Sequence, residues 1–198
     1  LIEGVTALMF CLLAVAELPF VIRPDTCGVF PCHALLLSTL LCAGLIEYDG
    51  SRVPWRLFLP VAVVGVVVPV VWPNIAILTT PLSMASDRWA CFETVAWDRL
   101  LGLMIGIFFG VLAWRSLADE KSRGLALGAS CVGLLLGCVA MIAIGIGSVI
   151  LIAPMWLPER VSPRTRIPSC LMLGIATFGY LLVTALFGGL AAGSLVSR

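Results

Sequence analysis

Charge is scarce in this chain: Asp, Glu, Lys and Arg make up 12% of its 198 residues, against 61% hydrophobic residues and a mean hydropathy of +1.14. A soluble globular domain carries about a quarter charged and about half apolar residues, so that class is excluded. Positive charge is equally thin. Twelve Lys and Arg against eleven Asp and Glu give a formal charge of +1, which leaves no electrostatic footprint for nucleic acid, and none is expected as a partner. The alternation of a membrane β-barrel is also missing. Carboxylates almost vanish from the second half, where Glu159 is the only one after Glu120.

What the chain has instead is long apolar runs. Six can be read, near Leu1 to Val21, Phe30 to Ile46, Leu57 to Leu78, Leu100 to Leu117, Leu125 to Ile152 and Cys170 to Val196. A helix needs about 20 apolar residues to cross the hydrocarbon core, and helices satisfy every backbone group internally. The expectation is therefore an all-α, polytopic membrane bundle of about six transmembrane helices, forming a single domain over 1–198 with the lipid bilayer as its surroundings. The first run begins at Leu1 itself, as in a chain trimmed at its N-terminus. Pro60, Pro69 and Pro73 are expected to kink the third helix, because each removes a backbone donor.

Eight cysteines are present, but Cys11, Cys42, Cys131, Cys138 and Cys170 fall in or beside apolar runs, where a free cysteine acts as a small hydrophobe. Cys27, Cys32 and Cys91 lie in expected loops. The stretch Cys27 to His33, CGVFPCH, offers three local N or S ligands, short of the four that a structural zinc site takes. No metal and no cofactor is expected. Glycines mark a different feature: Gly102, Gly106 and Gly110 recur at every fourth position, as do Gly124 with Gly128 and Gly133 with Gly137. Such small faces let helix backbones approach closely, here between spans four and five of one chain, with a dimer motif as the alternative.

Six spans would place both termini, the loop after span two and the loop after span four on one side. Lys and Arg then divide six to six between the two sides, so the positive-inside rule does not orient the chain. The loop 79–99, with Trp89, Phe92 and Trp97, suits a segment lying at the interface. Glu3 and Glu17, near the ends of span one, read as snorkelling or helix-end groups. Glu47 and Asp49 close span two, where the helix dipole disfavours anions; Arg52 or Arg56 could compensate them. Two carboxylates held close cannot easily both ionise, so one can act as acid while the other activates water. Asp119 and Glu120 supply partners on the same side by parity. Catalytic candidates are thus Glu47, Asp49 and Asp119, against the alternative that all are solvated loop charges beside Arg52, Lys121 and Arg123.

The stretch LIEYDGSRVPWRLFLP, Leu45 to Pro60, resembles the type IV prepilin peptidases, a family of membrane aspartic endopeptidases. Their first catalytic Asp stands seven residues before the Pro of an Ile/Leu-Pro pair, as Glu47 stands before Pro54. IPSCLMLG, Ile167 to Gly174, is similar to the family's closing motif at the head of its last helix. The resemblance covers nearly the whole chain. It implies a multi-pass protein of the bacterial inner membrane, in pilus or type II secretion systems, with a pilin-like precursor helix as partner, the Glu47 face cytoplasmic, and Cys27 and Cys32 paired in an oxidising periplasm. Two departures matter. Glu47 replaces the first Asp, and the second, from a Gly-x-Gly-Asp motif, has no counterpart: aligned on Gly133 and Gly137 its place falls on Leu125, aligned on Gly128 it falls on Ala129. The resemblance therefore implies a relative with an incomplete peptidase site. An active endopeptidase pairing Glu47 or Asp49 with Asp119, and a small membrane transporter built of kinked, glycine-rich helices, are the alternatives.

Overall fold

A computed structural model describes residues 2–21, 28–71, 88–117, 123–152 and 169–196. These form seven α-helices, with no strand among the described residues: α1 (Ile2–Val21), α2 (Val29–Tyr48), α3 (Leu59–Val71), α4 (Arg88–Leu117), α5 (Arg123–Leu136), α6 (Cys138–Ile152) and α7 (Ser169–Val196). The fold is all-α. Among the described residues two helical stretches, Val29–Tyr48 and Glu93–Leu112, are long and apolar enough to cross a membrane, and five shorter apolar helices accompany them.

The helices end where the sequence offers a residue for the purpose. α2 closes with Asp49 N–H bonded to Leu45 O and Gly50 N–H to Glu47 O, both at 3.0 Å, while Gly50 takes φ +75°. Only glycine enters that region without a Cβ penalty. Pro54, extended at φ −72° and ψ 130°, then launches a 3-10 turn over Trp55–Phe58, which leads directly into α3. Pro60 falls in the first turn of α3, a position that proline tolerates. Pro69 lies within α3, and Pro73 lies outside the described residues.

The fifth apolar run differs most from expectation. It is not one span but two helices divided at Gly137, which stands at φ +90°. Neighbours show which way each half runs. A Cβ on Gly110 would meet Ala126, one on Gly106 would meet Ala129, and Gly102 and Gly133 face one another, so α5 is antiparallel to α4. Past Gly137, Cys138 sits beside Asp98 and Gly145 beside Phe109. Contacts on α4 now ascend with the chain, so α6 turns back and runs in the same sense as α4. The extra reversal corrects the six-span parity: α7 begins at the Glu47 end of the bundle, whereas six spans would start it at the opposite end. α4 also begins earlier than its apolar run, at Arg88, so the residues from Arg88 onward are helical rather than loop.

Leu13 of α1, Leu36, Leu37 and Leu40 of α2, Val132 and Leu136 of α5, and Met141 and Ile144 of α6 are each no more than 1% exposed. Together with Phe58, Val61 and Leu173 they form one continuous core. Truncating any of the leucines would remove contacts and leave a cavity, at a cost of about 2–5 kcal/mol. The glycine seam between α4 and α5 is closer than side-chain packing allows: a Cβ on Gly110 would stand 2.5 Å from Ala126 Cα. Gly102, Gly106, Gly110 and Gly133 thus serve packing between α4 and α5, whereas Gly124 and Gly128 face Val53, Leu40 and Leu173 instead and Gly137 ends the helix.

Candidate functional site

Glu47 occupies the last turn of α2, and its carboxylate reaches the first turn of α7. Ser169 Oγ donates to Oε1 at 2.6 Å and the Cys170 N–H donates to Oε2 at 2.9 Å. The first N–H groups of a helix have no partner within it, and the N-terminal end of the macrodipole favours negative charge. An acid that the C-terminus of its own helix disfavours is therefore accommodated by the N-terminus of another. The two helices are close enough for this because Gly44, one turn earlier, leaves room for the backbone of Leu171; a Cβ on Gly44 would stand 3.0 Å from Leu171 N. Gly124 adds the start of α5 to the same end, against Val53 and Cys170.

Of the other proposed catalytic groups, one falls within the described residues. Asp49 is exposed and forms the C-cap of α2. The C-terminal end of α4 lies at the Glu47 end of the bundle, since Gly110 meets Ala126 and Gly124 meets Val53, but Asp119 itself lies outside the described residues. Leu125 and Ala129, the two positions aligned with the family's second Asp, are buried at 6% and 2% exposure in the core. Each Glu47 oxygen already takes one protein donor. The arrangement can fasten helices; an acid and base sharing one water would need a second carboxyl beside it.

A second acid does the same work at the opposite end. Asp98 Oδ1 accepts from the Cys138 N–H at 3.2 Å and from its thiol at 2.8 Å, capping α6 directly after the turn at Gly137. A Cβ on Gly137 would run into this carboxylate. Sequence reasoning passed over Asp98, because an acid forty residues from the helix it caps leaves no local signature. Arg99, counted there as a loop charge, is 7% exposed within α4.

The largest departure from expectation is Glu17. Rather than snorkelling at a helix end, it is 2% exposed, and its Oε1 lies 2.5 Å from Nδ1 of His33, which is 8% exposed. The pair fastens α1 to α2. His33 was weighed only as a third ligand in CGVFPCH, and its Nδ1 is turned to Glu17 instead. No group of three or more His, Cys, Asp or Glu side chains suited to a metal occurs among the described residues. Cys32 is a free, half-buried thiol, and its expected disulfide partner Cys27 lies outside the described residues, as does Glu159, while Cys91 falls within α4 rather than in a loop.

Between α3, α4 and α5 an open apolar cleft of about 220 Å³ is lined by Trp55, Phe58, Leu59, Leu103, Leu127 and Leu134, among others. At its rim the Arg56 guanidinium stands 6.0 Å from the Trp55 ring, within cation–π range. Comparison with protein-family models, curated proteins and solved structures finds no match to this chain.

Proposed function

We propose that this chain is a multi-pass protein of the bacterial inner membrane, built on the plan of the type IV prepilin peptidases, whose first catalytic position has been given over to holding the bundle together. It would retain an apolar pilin-type helix without cutting it, within a pilus or type II secretion assembly. The observation that carries this reading is the Glu47 carboxylate, divided between Ser169 Oγ and the Cys170 N–H. A hydrolytic dyad loses most of its rate when one member is gone, and the positions aligned with the second Asp hold buried Leu125 and Ala129. The membrane setting is supported by the composition and by the two helical stretches of spanning length. The cleft beside Trp55 supports the retained affinity for an apolar helix, since it offers side-chain-sized space with an almost wholly apolar lining.

One observation keeps the active peptidase as the second reading: α4 ends at the Glu47 end of the bundle, at Leu117, two positions before Asp119 in the sequence. The two readings separate in one experiment. The full chain in liposomes is incubated with a pilin-type precursor bearing a photo-crosslinker in its apolar helix. Crosslinking without cleavage is the expected result. Specific cleavage that disappears in Glu47→Gln or Asp119→Asn would establish the active enzyme, and absence of both crosslinking and cleavage would overturn the prepilin-peptidase plan altogether.

A further inference from the structure

The Glu17 and His33 pair takes no part in either reading of the Glu47 end, and it sits where ionisable groups are costly to keep. Oε1 of Glu17 meets His33 Nδ1, while Oε2, equally enclosed, has no hydrogen-bond partner. Buried carboxylates persist when a partner matches their charge, and otherwise take up a proton. Among the described residues, Cys32 of α2 and Tyr180 of α7 pack against the same core, Arg99 of α4 is buried, and the adjacent Asp98 caps Cys138 of α6. Arg99 and Asp98 offset one another in formal charge, so among these described residues the proton count of Glu17 and His33 sets the net charge. His33 is not fully sealed, its side chain keeping 10% of its surface open.

We propose that Glu17 and His33 form a proton-binding site inside the bundle, with Nδ1 held by Glu17 and Nε2 as the atom that exchanges protons with water. With the Nδ1 proton alone the pair carries one negative charge. Adding a proton at Nε2 gives a neutral ion pair, the state that holds α1 most firmly. A further proton, at the bare Oε2, leaves an imidazolium beside an uncharged carboxyl and removes the attraction. α1 packs chiefly on α2 and α7, so acid loosens this helix before the others. The site is independent of any peptidase ancestry and stands or falls separately from it.

The chain contains one histidine, so 15N-histidine labelling of the full protein in nanodiscs gives a single imidazole to follow. The expected neutral form carries its proton on Nδ1 with Nε2 bare, and in Glu17→Gln the proton moves to Nε2, the preference of a free imidazole. Mass spectrometry supplies a second readout, the modification of the free Cys32 thiol by an acid-tolerant dithiodipyridine. Its rate should rise on the order of a hundredfold in Glu17→Gln, because removing one member of a buried pair exposes the other, and on acidification should rise in the wild type only, once the further proton is taken up at Oε2. A wild-type imidazole protonated on Nε2 in its neutral form would overturn the proposal even where Glu17→Gln fails to fold, and so would a Glu17→Gln variant that folds with the wild-type imidazole titration.

Discussion

Glu47 and Ser169, 122 residues apart, are joined by a hydrogen bond of 2.6 Å that ties the end of α2 to the start of α7. Because the adjacent Cys170 N–H binds the other carboxylate oxygen, one side chain caps a helix to which it is not covalently near. Glu47→Ala should remove both acceptors and leave the amide unpaired, lowering stability by about 1–3 kcal/mol. Glu47→Gln, which keeps one acceptor oxygen, should cost less. Thermal unfolding in a single detergent ranks the two, and equal losses would argue against the cap.

Asp98 should behave alike at the far end. In Asp98→Ala the Cys138 amide and thiol both lose their acceptor, so α6 should fray from its first turn, again at about 1–3 kcal/mol. Hydrogen exchange localised to residues near Cys138 checks this, since a global effect alone would not place the loss at α6.

Gly137→Ala combines two penalties. A Cβ costs about 1–2 kcal/mol in the left-handed region, and at φ +90° it would also meet the Asp98 carboxylate. The double variant Asp98→Gly with Gly137→Ala should recover the steric part only. A double-mutant cycle measures that coupling directly.

The glycines divide into two groups by the space beside them. Gly102→Ala and Gly133→Ala would each drive a methyl into the facing backbone, an overpacking worth about 1–3 kcal/mol or more where nothing can yield. Gly179 has nothing within 4 Å of its notional Cβ, so Gly179→Ala should be neutral or stabilising by up to about 1 kcal/mol. Comparative melting of the three variants decides whether close backbone approach is what the spacing is for.

The sequence made the helical class legible because hydrophobic runs and the absence of charge act locally. It also placed Gly102, Gly106 and Gly110, since an i, i+4 repeat projects onto one face whatever the partner. α1, α2 and α7 begin and end within a residue or two of the apolar runs, as helices ended by turns and prolines do. What it hid were features settled at a distance. The reversal at Gly137 falls inside an unbroken apolar stretch, where the residues on both sides suit one long helix equally well. Glu17 resembles a helix-end acid until His33, sixteen residues on, is seen beside it. Glu47 draws notice as a catalytic group for the same reason that it serves as a fastener: a carboxylate at the C-terminus of a helix needs compensation, and sequence alone does not reveal that the N-terminus of α7 supplies donors for it.

The α4 and α5 seam has a mechanical side. Where backbone lies against backbone there are no side chains to exchange rotamers, so the two helices can neither slip by a turn nor roll past one another, and they behave as a single stiff plank. Any rearrangement of the bundle has to be taken up at joints rather than by shear. Among the described residues of positive φ, Gly137 stands at such a joint, where α5 gives way to α6, and Gly50 stands at the turn that closes α2.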